Sequence, residues 1–265
     1  MGEALDKITA KLKIDSHSEE KKIVLFIKRR VEESSASGVV VGLSGGIDSS
    51  VVASLCAKAI GGKKVLGLCL SESGVTSAHD MQDALSVAEI LGIEFKLLNM
   101  TPIIRQFHTT LKDFKLKGLP SANLKPRVRM TVLYYHANLL NRIVAGTGNR
   151  SELRAGYFTK HGDGGVDMLP IGGLYKTQVR QLAKHLGLPR KVVEKIPTAG
   201  LWLGQTDEGE LGITYEKLDM IYAGLDLGMK PAEIAEAVGV NEAKVAGFID
   251  REKKSLHKLS PPPIP

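Results

Sequence analysis

The sequence predicts an α/β protein built on a doubly wound parallel sheet, with helical extensions at both ends. Three observations carry that prediction. Short apolar runs recur at Val39–Leu43, Val65–Leu70, Glu94–Asn99 and Ile143–Thr147, each of strand length. Helical patterns separate them, at Asp48–Ala59, at Ser77–Leu91 and across a longer region from Thr101 to Asn141. Such alternation gives a parallel sheet covered on both faces. Finally, the polar stretches SGGIDSS (Ser44–Ser50) and GTGNRSE (Gly146–Glu152) each follow a strand directly, at the end where open sheets of this kind bind ligands.

Taken in order, Ser18–Val31 reads as a helix with apolar Ile23, Val24, Phe26 and Ile27. Val39, Val40 and Val41 are β-branched and make a buried strand. The helix after it places Val51, Val52, Leu55 and Ala59 near one face. Thr76 is the expected N-cap of the next helix and Gly92 its stop. NLKPRVRM (Asn123–Met130) is expected to open a long helix, with Pro126 in the favoured first turn. Beyond the sheet, Thr177–Leu186, Thr214–Leu225 and Pro231–Lys258 read as helical. Pro231–Asp250 has the cadence of a helix-turn-helix reader, but its second helix offers only Asn241 and Lys244 to bases. A plain helical hairpin is therefore expected. The 265 residues divide as a single domain: a helical N-terminal extension (1–37), an α/β core (38–200), and a helical C-terminal region with its tail (201–265).

Lys and Arg number 36 against 29 Asp and Glu, a net charge of +7. That balance suits nucleic acid or a site for several phosphates. The basic residues cluster at Lys7–Arg30, Lys112–Arg129 and Arg251–Lys258 without any RNA-recognition or zinc-finger signature, so no nucleic-acid partner is expected. No run approaches a membrane span, and the charged N-terminus lacks a signal-peptide core. The opening Met-Gly does not make a myristoylation site, because Asp6 stands where Ser or Thr is wanted. Cys56 and Cys69 form no C-x-x-C pair and read as buried thiols. A cytoplasmic protein without membrane attachment is expected.

SGGIDSS carries the chemistry. Gly45 and Gly46 lack Cβ, so the backbone can turn sharply and expose successive N–H groups at a helix start. Alone, the stretch could equally be an ordinary glycine-rich turn. It is not a Walker loop, since no Lys lies between Val39 and Ala57. Asp48 is the informative residue: an acid there repels phosphate unless a divalent cation stands between them. Mg²⁺ with a polyphosphate follows. In GTGNRSE, Thr147 places a hydroxyl near the nucleotide, and Glu152 either joins Asp48 on the metal or merely favours the helix dipole. The polar stretch FTKHGDGGVD (Phe158–Asp167) reads as a site loop rather than a core element. Arg127 and Arg129 suit phosphate or carboxylate, or else a solvated basic face.

SGGIDSS resembles the loop of the PP-loop, or ATP pyrophosphatase, superfamily. With GTGNRSE, GYFTKHGDGGVD (Gly156–Asp167), GLYKTQV (Gly173–Val179), KIPTAGLW (Lys195–Trp202) and HKLSPPP (His257–Pro263), in this order and spacing, the chain resembles ammonia-dependent NAD synthetases from about Val39 onward. The resemblance implies an adenine-nucleotide alpha-hydrolase-like fold and a ligase that amidates deamido-NAD (nicotinic acid adenine dinucleotide) with ammonia. It implies an acyl-adenylate, with AMP and pyrophosphate released. ATP would be the co-substrate, with Mg²⁺ on Asp48 and Glu152. Gly42, Leu43, Ser44, Gly45, Gly46, Ile47, Asp48, Ser49, Thr147, Lys176 and Thr198 match positions that contact ATP, and Asp48 and Lys176 stand as the catalytic pair. Arg127, Lys160, Asp167, His257 and Lys258 match positions that hold deamido-NAD. A homodimer is implied as well. Two positions depart from the pattern: His161, where relatives often carry Tyr, and Gly173, where many carry an acid. Two rivals are a tRNA-modifying PP-loop enzyme, whose sulfur-handling cysteine pairs are missing, and a nucleotide-binding regulator, which has little use for Asp48 with Glu152.

Overall fold

The computed structural model describes residues 2–111 and 118–264. The chain opens with α1 (Gly2–Leu12) and α2 (Ser16–Glu33). Asp15 caps α2 by accepting the N–H groups of His17 and Ser18. The sequence reading anticipated the second of these helices but not the first. Strand β1 (Gly38–Gly42) leads through the glycine turn into α3 (Ile47–Ile60), then β2 (Val65–Ser71), α4 (Ala78–Leu91) and β3 (Glu94–Asn99). The N-cap of α4 is Ser77 rather than Thr76. Ser77 and Asp80 form a reciprocal capping box, while the Thr76 hydroxyl accepts Glu72 N–H at 2.9 Å within the preceding turn.

The long helical region resolves into α5 (Thr101–Thr110) and α6 (Leu119–Leu139); residues 112–117, including part of one expected basic cluster, lie outside the described residues. Helix α6 starts at Leu119, so Pro126 sits in its interior, not in its first turn. There Pro126 is buried, and its ring touches the space above Gly162 in the site loop. Packing has overridden local preference at that point. The chain continues through β4 (Arg142–Ala145), α7 (Arg150–Ala155), α8 (Lys176–His185), α9 (Arg190–Val193) and α10 (Asp207–Leu211). It closes with α11 (Tyr215–Asp226), α12 (Pro231–Val238) and α13 (Glu242–Ser255).

The sheet is parallel with order β3-β2-β1-β4 among the described residues. Side chains alternate across it. Val39, Val41 and Cys69 face a core shared with α2, α3, α4 and α8, whereas Val40, Leu66, Leu68 and Val144 pack with Ala137 of α6. Because β1 is flanked by β2 on one side and β4 on the other, the chain reverses direction across the sheet there. That reversal opens a crevice at the strand C-termini. A second core joins Ile8 and Leu12 of α1 to Leu218, Ile221 and Tyr222 of α11, Ile234 of α12 and Phe248 of α13. The Pro231–Asp250 segment is thus a packed hairpin, and Lys244 donates to the Gly212 carbonyl.

Candidate active site

The glycine turn fills the crevice beside β1. Gly45 has φ +75°, and a Cβ there would lie 2.5 Å from the Asp80 carbonyl oxygen, so both conformation and space require glycine. The turn is tied from within. Ser44 N–H donates to Ser49 Oγ at 3.2 Å, the two hydroxyls lie 3.1 Å apart, and Ser50 Oγ donates to Gly46 O at 2.7 Å. Ser49 therefore commits its hydroxyl to the shape of the loop. Gly46 caps α3 with no side-chain hydrogen bond to the first turn, which leaves helix-start N–H groups to meet an anion.

Asp48, on the first turn of α3, meets Lys176 at the start of α8. Lys176 Nζ lies 2.5 Å from Asp48 Oδ2 and 3.6 Å from Glu152 Oε1, with its side chain almost fully buried. Asn149 connects the acids: its Nδ2 donates to Asp48 Oδ1 at 3.0 Å, and its N–H donates to Glu152 Oε2 at 3.1 Å. Asn149 is also the N-cap of α7, accepting Glu152 N–H. Below them, the Tyr215 hydroxyl donates to Asp207 at 3.1 Å, and its ring centroid lies 4.9 Å from Lys176 Nζ. The other Asp207 carboxyl oxygen is buried without a hydrogen-bond partner among the described residues.

Acids outnumber bases here, and the electrostatics record it. Burial pushes the Glu152 carboxyl up to about 8; Lys176 opposes the shift, while Asp48 and Asp207 reinforce it. Burial also disfavours the Lys176 charge, yet Asp48 and Glu152 outweigh it and hold the ammonium above the ordinary lysine range. Two oxygen-donor side chains in a field this negative, Asp48 and Glu152, suit a hard divalent cation that keeps its waters and phosphate ligands. Among the described residues no group of three His, Cys, Asp or Glu side chains is placed to hold a metal by itself.

A buried carboxylate sets these elements relative to one another. Asp219 of α11 accepts the Thr177 N–H at 2.8 Å and the Ser151 hydroxyl; Ser151 Oγ in turn accepts the Lys176 N–H at 2.9 Å. Burial raises the Asp219 carboxyl to about 6, and these hydrogen bonds pull against it. Arg154 of α7 makes a bidentate pair with Glu252 of α13, at 2.7 and 3.0 Å, and reaches Asp226 at 3.0 Å. The C-terminal helices thus hold α7 and α8, and with them Glu152 and Lys176.

A second group gathers the residues matched to the dinucleotide. Arg127 Nε and Nη2 each lie 3.4 Å from the Lys160 carbonyl, and Lys160 Nζ donates to His257 O at 2.7 Å. Lys258 Nζ donates to the carbonyls of Gly156 and Phe158 at 2.7 and 2.9 Å. Asp167 has a structural task that its motif did not reveal: its carboxylate accepts Val144 N–H at 2.7 Å and the Tyr134 hydroxyl at 2.9 Å. Thr147 is half-buried on the link from β4 to α7. Thr198 stands apart, exposed on a segment that Arg129 fastens to α6 through the Ala199 and Gly200 carbonyls, at 3.3 and 2.9 Å. Arg129, for which the sequence suggested no definite role, is thus a tether. His161 is exposed with φ +58°, and a side chain at Gly173 would meet open space.

Asn149, Asp207, Tyr215 and Asp219 escaped the sequence reading. Only Asn149 left a local signal, the Asn-x-x-Glu capping pattern in Asn149–Glu152.

The chain is similar to known proteins. The sequence model of the NAD synthase family matches residues 19–262. An NH(3)-dependent NAD(+) synthetase of Archaeoglobus fulgidus is 49% identical over 239 residues, spanning 90% of this chain and 92% of the relative. The solved NMN synthetase of Francisella tularensis superposes with TM-score 0.84 at 37% identity, covering 96% of this chain and 99% of that one. The NH3-dependent NAD synthetase of Campylobacter jejuni superposes with TM-score 0.78 at 31% identity, covering 95% and 99%. This chain, with its glycine turn, acid–lysine cluster and parallel sheet, belongs to the NAD synthase family.

Proposed function

We propose that the protein is a ligase that forms a C–N bond, amidating deamido-NAD to NAD with ammonia and ATP. The observation that carries this reading is the placement of Asp48, Glu152 and Lys176 beside a phosphate turn without a Walker lysine. The nicotinate carboxylate attacks the α-phosphorus of ATP, and pyrophosphate leaves into the turn formed by residues 42–49. Ammonia then attacks the acyl carbon, AMP departs, and the added nitrogen loses a proton. The Lys176 ammonium faces the charge that develops on the phosphates, a preorganised contact in a dry site. Bound at Asp48 and Glu152, Mg²⁺ would supply charge neutralisation for the departing pyrophosphate. Arg127, Lys160, His257 and Lys258 would hold the dinucleotide, Asp167 and Thr147 would border it and ATP, and Thr198 would close over the nucleotide. No side chain need serve as nucleophile, because positioning and electrostatics carry both steps.

We further read the chain as a single domain and a cytoplasmic enzyme of small molecules with no nucleic-acid partner. No helix among the described residues is long and apolar enough to cross a membrane. A homodimer is supported by apolar side chains left exposed on the adjacent helices α5 and α6: Ile103 and Phe107 on the first, Tyr135 and Leu139 on the second. Leu139→Asp is expected to convert a dimer to a monomer in sedimentation. Parent protein that sediments as a monomer overturns the dimer.

The solved NMN synthetase raises a second reading, in which the acid substrate is the mononucleotide. One reaction series tests all of this. Protein with ATP, Mg²⁺, ammonium and deamido-NAD should yield NAD, AMP and pyrophosphate by chromatography. Stoichiometric ADP overturns the mechanism, and faster turnover of nicotinic acid mononucleotide selects the second reading. Free NH₃ is the nucleophile, so the apparent KM for total ammonium should fall as pH rises. Glutamine alone should give no product, since Cys56 and Cys69 are buried and unfit to release ammonia.

A further inference from the structure

Lys195 reaches across from the segment after α9 to the underside of the glycine turn. Its Nζ lies 3.3 Å from the Gly45 carbonyl oxygen, 2.5 Å from Asp80 Oδ1 and 3.0 Å from Asp83 Oδ2. Lys191 pairs with the same Asp83 at 2.8 Å. Burial pushes the Asp80 and Asp83 carboxyls up, but Lys195, with Ser77 and Lys191, holds both below the ordinary range. Both acids stay charged directly beneath a turn shaped to receive an anion.

The Gly45 carbonyl belongs to the same peptide plane as the Gly46 N–H. In a planar trans peptide the two point in opposite directions. Fixing the oxygen toward Lys195 therefore aims the Gly46 N–H at the other face, where its present acceptor is Ser44 Oγ at a long 3.3 Å. Glycine on both sides of this bond makes the peptide free to rotate, so an external restraint has an effect here that it lacks in a stiff strand. The same ammonium neutralises Asp80 and Asp83, which otherwise repel the anion. It also fixes the start of the segment that carries Thr198.

We propose that Lys195 is a positioning residue for pyrophosphate: it orients the Gly45–Gly46 peptide toward the anion from behind, without touching it. This rests on the reading of the turn as the pyrophosphate site and adds the device that sets its shape.

The test is calorimetric titration of the whole protein with pyrophosphate and Mg²⁺, and separately with deamido-NAD. Lys195→Met is expected to weaken pyrophosphate roughly tenfold or more, the scale of one charge-assisted hydrogen bond, with deamido-NAD affinity held within about twofold. Lys195→Arg should restore pyrophosphate binding, because the guanidinium offers donors to both the carbonyl and the acids. The double variant Lys195→Met/Asp83→Asn lightens the unpaired acid and keeps the test usable where the single variant folds poorly. Unchanged pyrophosphate affinity in these variants overturns the inference while leaving the turn as the pyrophosphate site. Equal weakening of both ligands also overturns it, since that marks a general structural role. Parent protein that binds no pyrophosphate overturns the reading of the turn and the inference with it.

Discussion

Lys176→Met is expected to cost more than any other single change near the nucleotide, and to cost it twice. The ammonium is the cation at the centre of Asp48, Glu152 and Asp207, and its side chain is only 2% exposed. Removing one partner of a buried ion pair typically destabilises by about 3–5 kcal/mol, because the other charge is left uncompensated. The Glu152 carboxyl, whose burial-driven rise the ammonium opposes, would be pushed up further. Turnover should drop by ~10²–10³, the usual loss for one preorganised charge contact to a transition state. Urea unfolding and single-turnover rates, measured on the same preparation, separate the two losses. A variant with full stability and a rate within tenfold of the parent would remove Lys176 from the reacting phosphates.

Asp48→Asn should behave differently: a folded protein with a crippled site. Asp48 sits on the first turn of α3, where losing its charge costs the helix only about 0.3–1 kcal/mol. The amide can keep accepting from Asn149 through its oxygen, but its NH₂ then confronts the Lys176 ammonium. One of two contacts is therefore lost in any rotamer. Turnover is expected to fall ~10²–10³ in a protein that still folds, with a smaller loss of melting temperature than Lys176→Met, because the ammonium keeps Glu152 at 3.6 Å. The dependence of rate on Mg²⁺ should move to higher concentration as well. An unchanged Mg²⁺ titration curve would take Asp48 off the metal.

What the sequence disclosed and what it withheld divide along sequence separation. The turn at Ser44–Gly46 needs only its own glycines and flanking strand and helix, so the unit could be read in place. Glu152 could be read because GTGNRSE directly follows an apolar strand and matches a family motif, whereas its capping partner Asn149, three residues earlier, went unread. Thr76 and Ser77 are adjacent hydroxyls; only the reach of Asp80 back to Ser77 decides between them. Pro126 looked like a first-turn residue, and only packing against the Gly162 loop shows why a helix continues through it. The remaining contacts join distant parts of the chain: Lys195 with Gly45, Ser151 with Asp219, Arg154 with Glu252. No local pattern encodes such pairs. Helix α1 was hidden likewise, since the partners of Ile8 and Leu12 stand on α11 and α12, near the other end of the chain.

That last contact has a consequence for biogenesis. Ile8 and Leu12 leave the ribosome well before Leu211 to Phe248, which make up most of the core that receives them. The sheet and its turn can form while synthesis continues, because β1, α3 and β2 are near neighbours in sequence. Asp219, which fastens the start of α8, lies on α11 next to Leu218 of that late-emerging core. A nascent chain stopped before that point would carry a finished glycine turn and an unanchored Lys176. Its first helix would wait with apolar side chains uncovered, and long waits of that kind favour association with other chains. Catalytic competence and burial of α1 should therefore arrive together, once the segment through Phe248 has been made.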